Sequence, residues 1–251
     1  GRLVKYAQKI GFDAVASGHY VRRLVTDQGI QLWQASDQSK DQSYFLYQLD
    51  QRDLAMLQFP LGDFQKIEIR RLAEKFHLPV AHKAESQEVC FVGDGLPNFL
   101  RRHLKLSNGP IKDQSGRQIG QHQGLPLYTV GQRRGVEIGG TGPYYVTKIE
   151  VASNTLWVTS QVDDQQLFQA KMFLPRLYWL DTHRPRRAIN CQVVIRYHHP
   201  PVDCCLSRHQ GGWLVELATP QRAITPGQSA VFYDQGRLLG GGVIALDGGF
   251  C

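Results

Sequence analysis

Asp13-Ala14-Val15-Ala16-Ser17-Gly18-His19-Tyr20 is a short apolar run that stops on a glycine. It reads as a strand over Asp13 to Ser17, ending in Gly18-His19-Tyr20. Immediately upstream, Leu3, Val4, Ala7 and Ile10 recur at helical spacing, with Arg2, Lys5 and Lys9 between them. That is one amphipathic helix feeding one strand, the start of an α/β pattern. Ligands of open α/β sheets bind at the carboxyl ends of strands, and a glycine there lets backbone approach a nucleotide closely. The plainer reading of Gly18 is a turn residue.

Working outward, Val21 to Val25 and Ile30 to Ala35 form a predicted hairpin around Asp27-Gln28-Gly29. Asp41 is placed to cap a helix carrying Tyr44, Phe45 and Tyr47. Asp63 is placed to cap the next helix, with Ile67, Leu72 and Phe76 inward and Leu78-Pro79 as its stop. After Phe91 the texture changes. Leu96 to Leu104 is a short helix, and 109–142 is rich in glycine and polar residues, which suits turns and hairpins. From Tyr144 onward alternation dominates: Tyr144 to Glu150, Thr155 to Ser160, Cys191 to Tyr197, Trp213 to Leu217, Ala230 to Tyr233, Leu239 to Ile244. Short strands with Gly or Pro turns predict a small closed β-barrel. The expected fold class is α/β plus β, with three domains: 1–93, 94–165 and 166–251.

Bulk properties narrow the function. Hydrophobic content of 42% and charged content of 20% are ordinary for a folded protein. No run approaches the roughly 18 apolar residues of a membrane span, so no membrane partner is expected. The net charge is +7, with basic pairs at Arg22-Arg23, Arg70-Arg71, Arg101-Arg102 and Arg133-Arg134. Such a field favours a polyanion by long-range attraction and counterion release; a merely basic protein is the bland alternative. The five cysteines are odd in number and hold no C-x-x-C pair. A disulfide framework or a zinc site is therefore not expected, and a reducing, cytoplasmic setting is.

Five stretches have chemistry to offer. Lys40-Asp41-Gln42-Ser43-Tyr44-Phe45-Leu46 is blandly a helix start; it also sets a cation for a phosphate beside an amide that can meet a base edge. Ser86-Gln87-Glu88-Val89-Cys90-Phe91 puts Cys90 with Glu88 on one strand face and Val89 with Phe91 on the other. Cys90 is then either a small buried hydrophobe or an accessible thiol. Tyr128-Thr129-Val130-Gly131-Gln132-Arg133-Arg134-Gly135 is a strand entering a basic glycine loop, which suits either backbone phosphates or a solvated turn. Val194-Ile195-Arg196-Tyr197 ends a strand with a cation beside an aromatic, able to clamp a phosphate and stack on a base. Thr225-Pro226-Gly227-Gln228 reads first as a tight turn.

These stretches, in this order, resemble the tRNA 2-thiouridylases, which replace the C2 oxygen of a wobble uridine with sulfur. The resemblance runs from Asp13 to Ile244. It implies the remainder of an adenine-nucleotide-binding α/β domain, a small central tRNA-contacting domain and a C-terminal tRNA-binding β-barrel. It implies that Cys90 carries a persulfide, that Gly18 contacts ATP, and that His19, Lys40, Asp41, Gln42, Arg196, Tyr197 and Gln228 contact tRNA. The family usually has Thr where this chain has Ser17, and often a further basic residue where it has His198. The implied cofactor is ATP, with Mg2+, and the sulfur arrives from a sulfur-relay protein or cysteine desulfurase. The implied acceptors are the tRNAs for Lys, Glu and Gln. In the family a second, upstream cysteine attacks the persulfide and forms a disulfide with the carrier; no residue of this chain matches it.

The chain starts at Gly1 and shows no Ser-Gly-Gly-x-Asp-Ser phosphate loop. The expectation is a fragment that cannot adenylate RNA alone. Against the sulfurtransferase reading stands a non-catalytic RNA-binding module built from the barrel and the basic loops. A third reading, a relative that adenylates a small molecule, fits the arginine clusters and the barrel less well.

Overall fold

The computed structural model describes residues 1–83, 93, 95–136, 138, 142–181 and 184–245. In chain order the elements are α1 (Arg2–Lys9), β1 (Val15–Ala16), β2 (Arg22–Thr26), β3 (Gly29–Trp33), α2 (Gln51–Met56), β4 (Leu57–Gln58), α3 (Lys66–Lys75), α4 (Leu96–His103), β5 (Gly109–Lys112) and β6 (Gln118–His122). There follow β7 (Tyr145–Glu150), β8 (Thr155–Thr159), β9 (Phe168–Leu174), β10 (Tyr178–Trp179), β11 (Ile189–Val194), β12 (Val202–His209), β13 (Gly212–Arg222), β14 (Ser229–Asp234) and β15 (Arg237–Val243). None of the described helices is long and apolar enough to cross a membrane.

Two compact units result. One holds Gly1–Lys83, Ala170–Thr219 and Pro226–Cys251; the other holds Ala84–Gln169 and Pro220–Thr225. In the first, β1 and β4 pair in parallel. The predicted hairpin forms as β2–β3, its Thr26 hydroxyl donating to the Gly29 carbonyl at 2.9 Å and Gly29 taking a φ of +113°. That hairpin does not stay with β1. Strand β3 pairs with the start of β15, Arg237 opposite Trp33 and Leu238 opposite Leu32. The sheet order is β2-β3-β15-β14-β11-β12-β13-β9, with β10 pairing β15 off that path.

Among the described residues the paired strands run as an open path from β2 to β9 rather than the expected closed ring. One edge of β15 is shared end to end, by β3 at Arg237–Leu238 and by β10 at Gly240–Gly241. The chain between β9 and β10 crosses the sheet closely. A side chain at Gly242 would meet the Arg176 carbonyl at 2.3 Å, and one at Gly240 would meet the Tyr178 carbonyl at 2.1 Å. Glycine is needed there because backbone occupies the space of a Cβ. Val21, Leu32, Tyr44, Tyr47, Leu54, Val194, Val231, Tyr233 and Leu238 form one buried cluster, so the N-terminal segment and the C-terminal strands share a core.

Two local expectations are corrected. Asp41 begins no α-helix: Gln38–Lys40 and Ser43–Leu46 are single 3-10 turns. Helix α3 is capped at Gln65 rather than Asp63. The Glu68 carboxylate accepts from the Gln65 amide at 2.7 Å, and the Asp37 carboxylate accepts from the Lys66 amide at 2.9 Å. These carboxylates satisfy orphan donors of the first turn, which Asp63 is too early to reach. Ile67 and Phe76 lie outward, 56% and 65% exposed.

In the second unit the sheet order is β6-β5-β8-β7, with β5 and β8 parallel. Ile111, Leu125, Val146, Leu156 and Val158 fill its core. His122 is fully buried between the Gly124 amide, which donates to Nδ1 at 3.1 Å, and the Asn154 carbonyl, 2.9 Å from Nε2. Nδ1 accepts, so the proton sits on Nε2 and donates to Asn154. This is a satisfied core histidine.

Candidate nucleic-acid interface

The site grows around the Lys40–Leu46 segment of the first unit. Gly18 follows β1, whose pairing extends one residue through the Ser17 amide donating to the Gln58 carbonyl at 2.9 Å. Gly18 is exposed, and the nearest atom to a hypothetical Cβ is Leu61 Cδ1 at 3.9 Å. Backbone there is open to a ligand. Next to it, His19 Nδ1 lies 2.5 Å from the Ser17 hydroxyl, and its ring meets Phe59 edge-on at 6.4 Å. Burial lowers the His19 pKa from 6.5. At neutral pH His19 is thus a neutral hydrogen-bonding ring rather than a cation.

Gln42 is tied to the same place twice. Its amide donates to the Tyr20 carbonyl at 2.9 Å, and its side-chain oxygen accepts from the Tyr20 amide at 3.1 Å. The side-chain nitrogen is the part left to offer. Asp41 turns inward: one carboxylate oxygen accepts from the Ala35 amide at 2.9 Å, the other from the Ser43 hydroxyl at 2.7 Å. Burial pushes its pKa above the usual carboxylate value, against the opposing pull of those hydrogen bonds.

Ser43 is fully buried and its hydroxyl also lies 3.0 Å from the Tyr233 hydroxyl. A serine has one proton, already given to Asp41, so Tyr233 donates to Ser43. Burial drives the Tyr233 pKa upward, which keeps that proton in place. Tyr44 donates to the Ser229 carbonyl and Tyr47 meets the Ser229 hydroxyl, both at 2.9 Å. Ser229 follows Gln228, which is exposed on the turn held by the Ile244 amide donating to the Gln228 carbonyl at 2.8 Å.

Tyr197 completes the cluster. Its hydroxyl donates to the Asp41 carbonyl at 3.1 Å, and its ring lies 4.6 Å from Phe45 and 3.9 Å from His198. Arg196, just past β11, is exposed. The fold thus gathers the His19, Lys40–Gln42, Arg196–Tyr197 and Gln228 segments around one aromatic and polar cluster. Lys40 is half-buried and directly precedes Asp41, whose carbonyl Tyr197 holds. Cys90 lies outside the described residues. Ser43, Tyr233 and Ser229 are the members that sequence reading missed. Alternation marks Tyr233 as inward, but nothing local names its partner.

Two of the other thiols face each other in the sheet. Cys191 and Cys204 are buried directly opposite each other on β11 and β12, their sulfurs 3.7 Å apart, and this contact together with burial pushes the Cys204 thiol pKa up. Neither is a ready nucleophile. Among the described residues no cluster of His, Cys, Asp and Glu could hold a metal.

Three family models match in series: a tRNA methyl transferase HUP domain over 1–94, a tRNA methyl transferase PRC-barrel domain over 97–160 and an aminomethyltransferase beta-barrel domain over 169–244. This defines a protein with an α/β nucleotide-binding-type domain followed by two β-rich domains. Similar proteins include the tRNA-specific 2-thiouridylases MnmA of Chloroflexus aggregans, 48% identical over 97% of this chain and 68% of that protein, and of Magnetococcus marinus, 43% identical over 96% and 68%. The homologue from Ralstonia pickettii is 40% identical over 97% of this chain and 68% of its own length. The chain belongs to the tRNA-specific 2-thiouridylase MnmA family.

Proposed function

We propose that the protein acts in the ATP-dependent formation of 2-thiouridine at the wobble position of tRNA, as a tRNA-uridine 2-sulfurtransferase. The observation that carries this reading is the cluster of Tyr197, Asp41, Gln42 and Tyr20. It brings motifs far apart in sequence into one hydrogen-bonded surface of the right chemistry for RNA. Lys40 and Arg196 meet phosphates, while Gln42, Gln228 and the neutral His19 meet bases or sugars. Gly18 lies where an adenine nucleotide reaches the backbone, and the open space beside it fits that role.

ATP, with Mg2+, supplies the activation: it turns the uracil C2 oxygen, a poor leaving group, into the leaving oxygen of AMP. Cys90 is the proposed persulfide carrier, splitting one hard substitution into two easier ones. A sulfur-relay protein or cysteine desulfurase loads it, and the acceptors are the tRNAs for Lys, Glu and Gln. The three domains 1–93, 94–165 and 166–251 divide nucleotide binding from RNA binding, in a cytoplasmic setting.

The test is to incubate unmodified tRNA with the protein expressed from its complete reading frame, ATP, Mg2+ and a persulfide donor, then quantify 2-thiouridine by mass spectrometry of the nucleosides. Thiouridine that disappears with Cys90→Ser supports the reading. Thiouridine formed equally by Cys90→Ser removes Cys90 from it. Tight tRNA binding with neither thiouridine nor AMP release from the complete reading frame favours the non-catalytic RNA-binding module.

A further inference from the structure

A cleft of about 490 Å³ opens in the second unit, between the end of α4, strand β6 and the 128–135 loop. Arg101, Arg134, Gln121, Gln123, Gln132 and Tyr128 line it, and no acidic side chain is among the described residues that do. The Arg101 guanidinium donates to the side-chain oxygens of Gln123 at 2.8 Å and Asn98 at 3.2 Å. Both partners are neutral, so they orient the guanidinium without cancelling its charge. Five N–H donors sit on that plane, and two bonds leave the others for an anion.

The opposite wall is held rigid. The Gln132 side chain accepts from the Thr129 amide at 3.0 Å and donates to the Arg134 carbonyl at 2.8 Å. Backbone pairs Gly131 to Val146 at 2.7 Å and Val146 to Gln132 at 3.0 Å. Gly131 and Gly135 take φ of +81° and +76°, and a Cβ at Gly131 would strike Ala223 Cβ at 2.4 Å. Arg134 is thereby presented from a pre-organised turn rather than a loose loop. Tyr128, half-buried, is steadied edge-on by His122 at 5.9 Å.

We propose that this cleft is a nucleotide subsite for a looped or single-stranded part of the RNA. Arg101 and Arg134 take a backbone phosphate, Gln121 and Gln123 meet base edges, and Tyr128 offers a stacking face. This rests on the reading that the protein binds tRNA. A patch of lysines would serve any polyanion; paired guanidiniums beside amides and an aromatic face suit a nucleotide better than an acidic peptide.

The test is fluorescence anisotropy with end-labelled tRNA across a potassium chloride series, using wild type, Arg101→Ala, Arg134→Ala, the double variant and the Arg→Lys pair. Both arginines are exposed, so melting curves should be unchanged. Each alanine should weaken binding about 5- to 10-fold and lower the slope of log K against log salt by about one. The lysine pair should restore the slope but only part of the affinity, having lost bidentate contact. Wild type that binds tRNA while the double variant keeps the same affinity and slope overturns the subsite. Wild type that binds no tRNA overturns the parent reading. Binding of polyglutamate that depends on both arginines while tRNA binding does not assigns the cleft to a protein partner and overturns the RNA proposal. Photocrosslinking with 4-thiouridine-substituted tRNA should label the Tyr128 peptide; crosslinks confined to other peptides also overturn it.

Discussion

The Tyr197 hydroxyl donates to the main-chain carbonyl of Asp41 at 3.1 Å, so a residue just past β11 holds the Lys40–Gln42 segment by its backbone. The ring of the same tyrosine rests on Phe45 at 4.6 Å. Tyr197→Phe removes one hydrogen bond worth about 1 kcal/mol and keeps the ring. It should weaken tRNA binding only a few-fold. Tyr197→Ala removes the ring as well and should weaken it at least about tenfold. Equal effects of the two variants in an anisotropy titration would mean that the hydroxyl alone matters.

The buried Asp41–Ser43–Tyr233 chain should show itself in stability. Tyr233→Phe leaves the Ser43 oxygen without its donor and should cost about 1–2 kcal/mol in urea denaturation. Ser43→Ala strips a donor from a half-desolvated carboxylate and should cost more, about 2–3 kcal/mol. If the two costs add in the double variant, the three groups are not one network.

The pH dependence of Asp41 has a definite sign. Burial raises its pKa in the folded chain above 3.8. The fold therefore holds that proton more tightly than the unfolded chain does. Its contribution to stability is present in full below the unfolded value and fades as pH rises through the folded one. Asp41→Asn abolishes this dependence. From about pH 4 to pH 7 the urea midpoint of wild type should fall relative to that of Asp41→Asn. A relative rise would mean that hydrogen bonds outweigh burial at this carboxyl.

Two glycines separate steric from conformational cost. Gly242→Ala places a methyl 2.3 Å from the Arg176 carbonyl and should lower stability by more than about 3 kcal/mol, since main chain must move. Gly211→Ala meets nothing within 4 Å and pays only for its φ of +74°, about 1 kcal/mol. Thermal melting of the pair distinguishes them, and similar losses would refute the close crossing at Gly242.

Local signals carried much of this. The Asp27-Gln28-Gly29 turn announced the β2–β3 hairpin, and alternation announced most of the C-terminal strands. Where expectation failed, the cause was non-local. Asp41 looks like a helix cap, but its carboxylate accepts from Ala35 and Ser43 in a turn that Tyr197 and Tyr233, distant in sequence, hydrogen-bond. Asp63 looks like a cap because Asp37, distant in sequence, is invisible as the group that reaches the start of α3. The pairing of β3 with β15 has no trace in either strand alone. Of the candidate residues, the set proposed to contact tRNA was legible as motifs; the buried hydroxyls packed beneath it were not.

The shared edge of β15 also bears on how the chain is made. Trp33 leaves the ribosome long before its partner Arg237 exists. At roughly 5–20 residues per second, the hairpin waits on the order of ten seconds or more with one edge unpaired. During synthesis the β2–β3 arm is an open template that a neighbouring nascent chain could occupy. A holding chaperone, or slow release of the last strands, would then decide how much of the product closes on itself rather than on its neighbours.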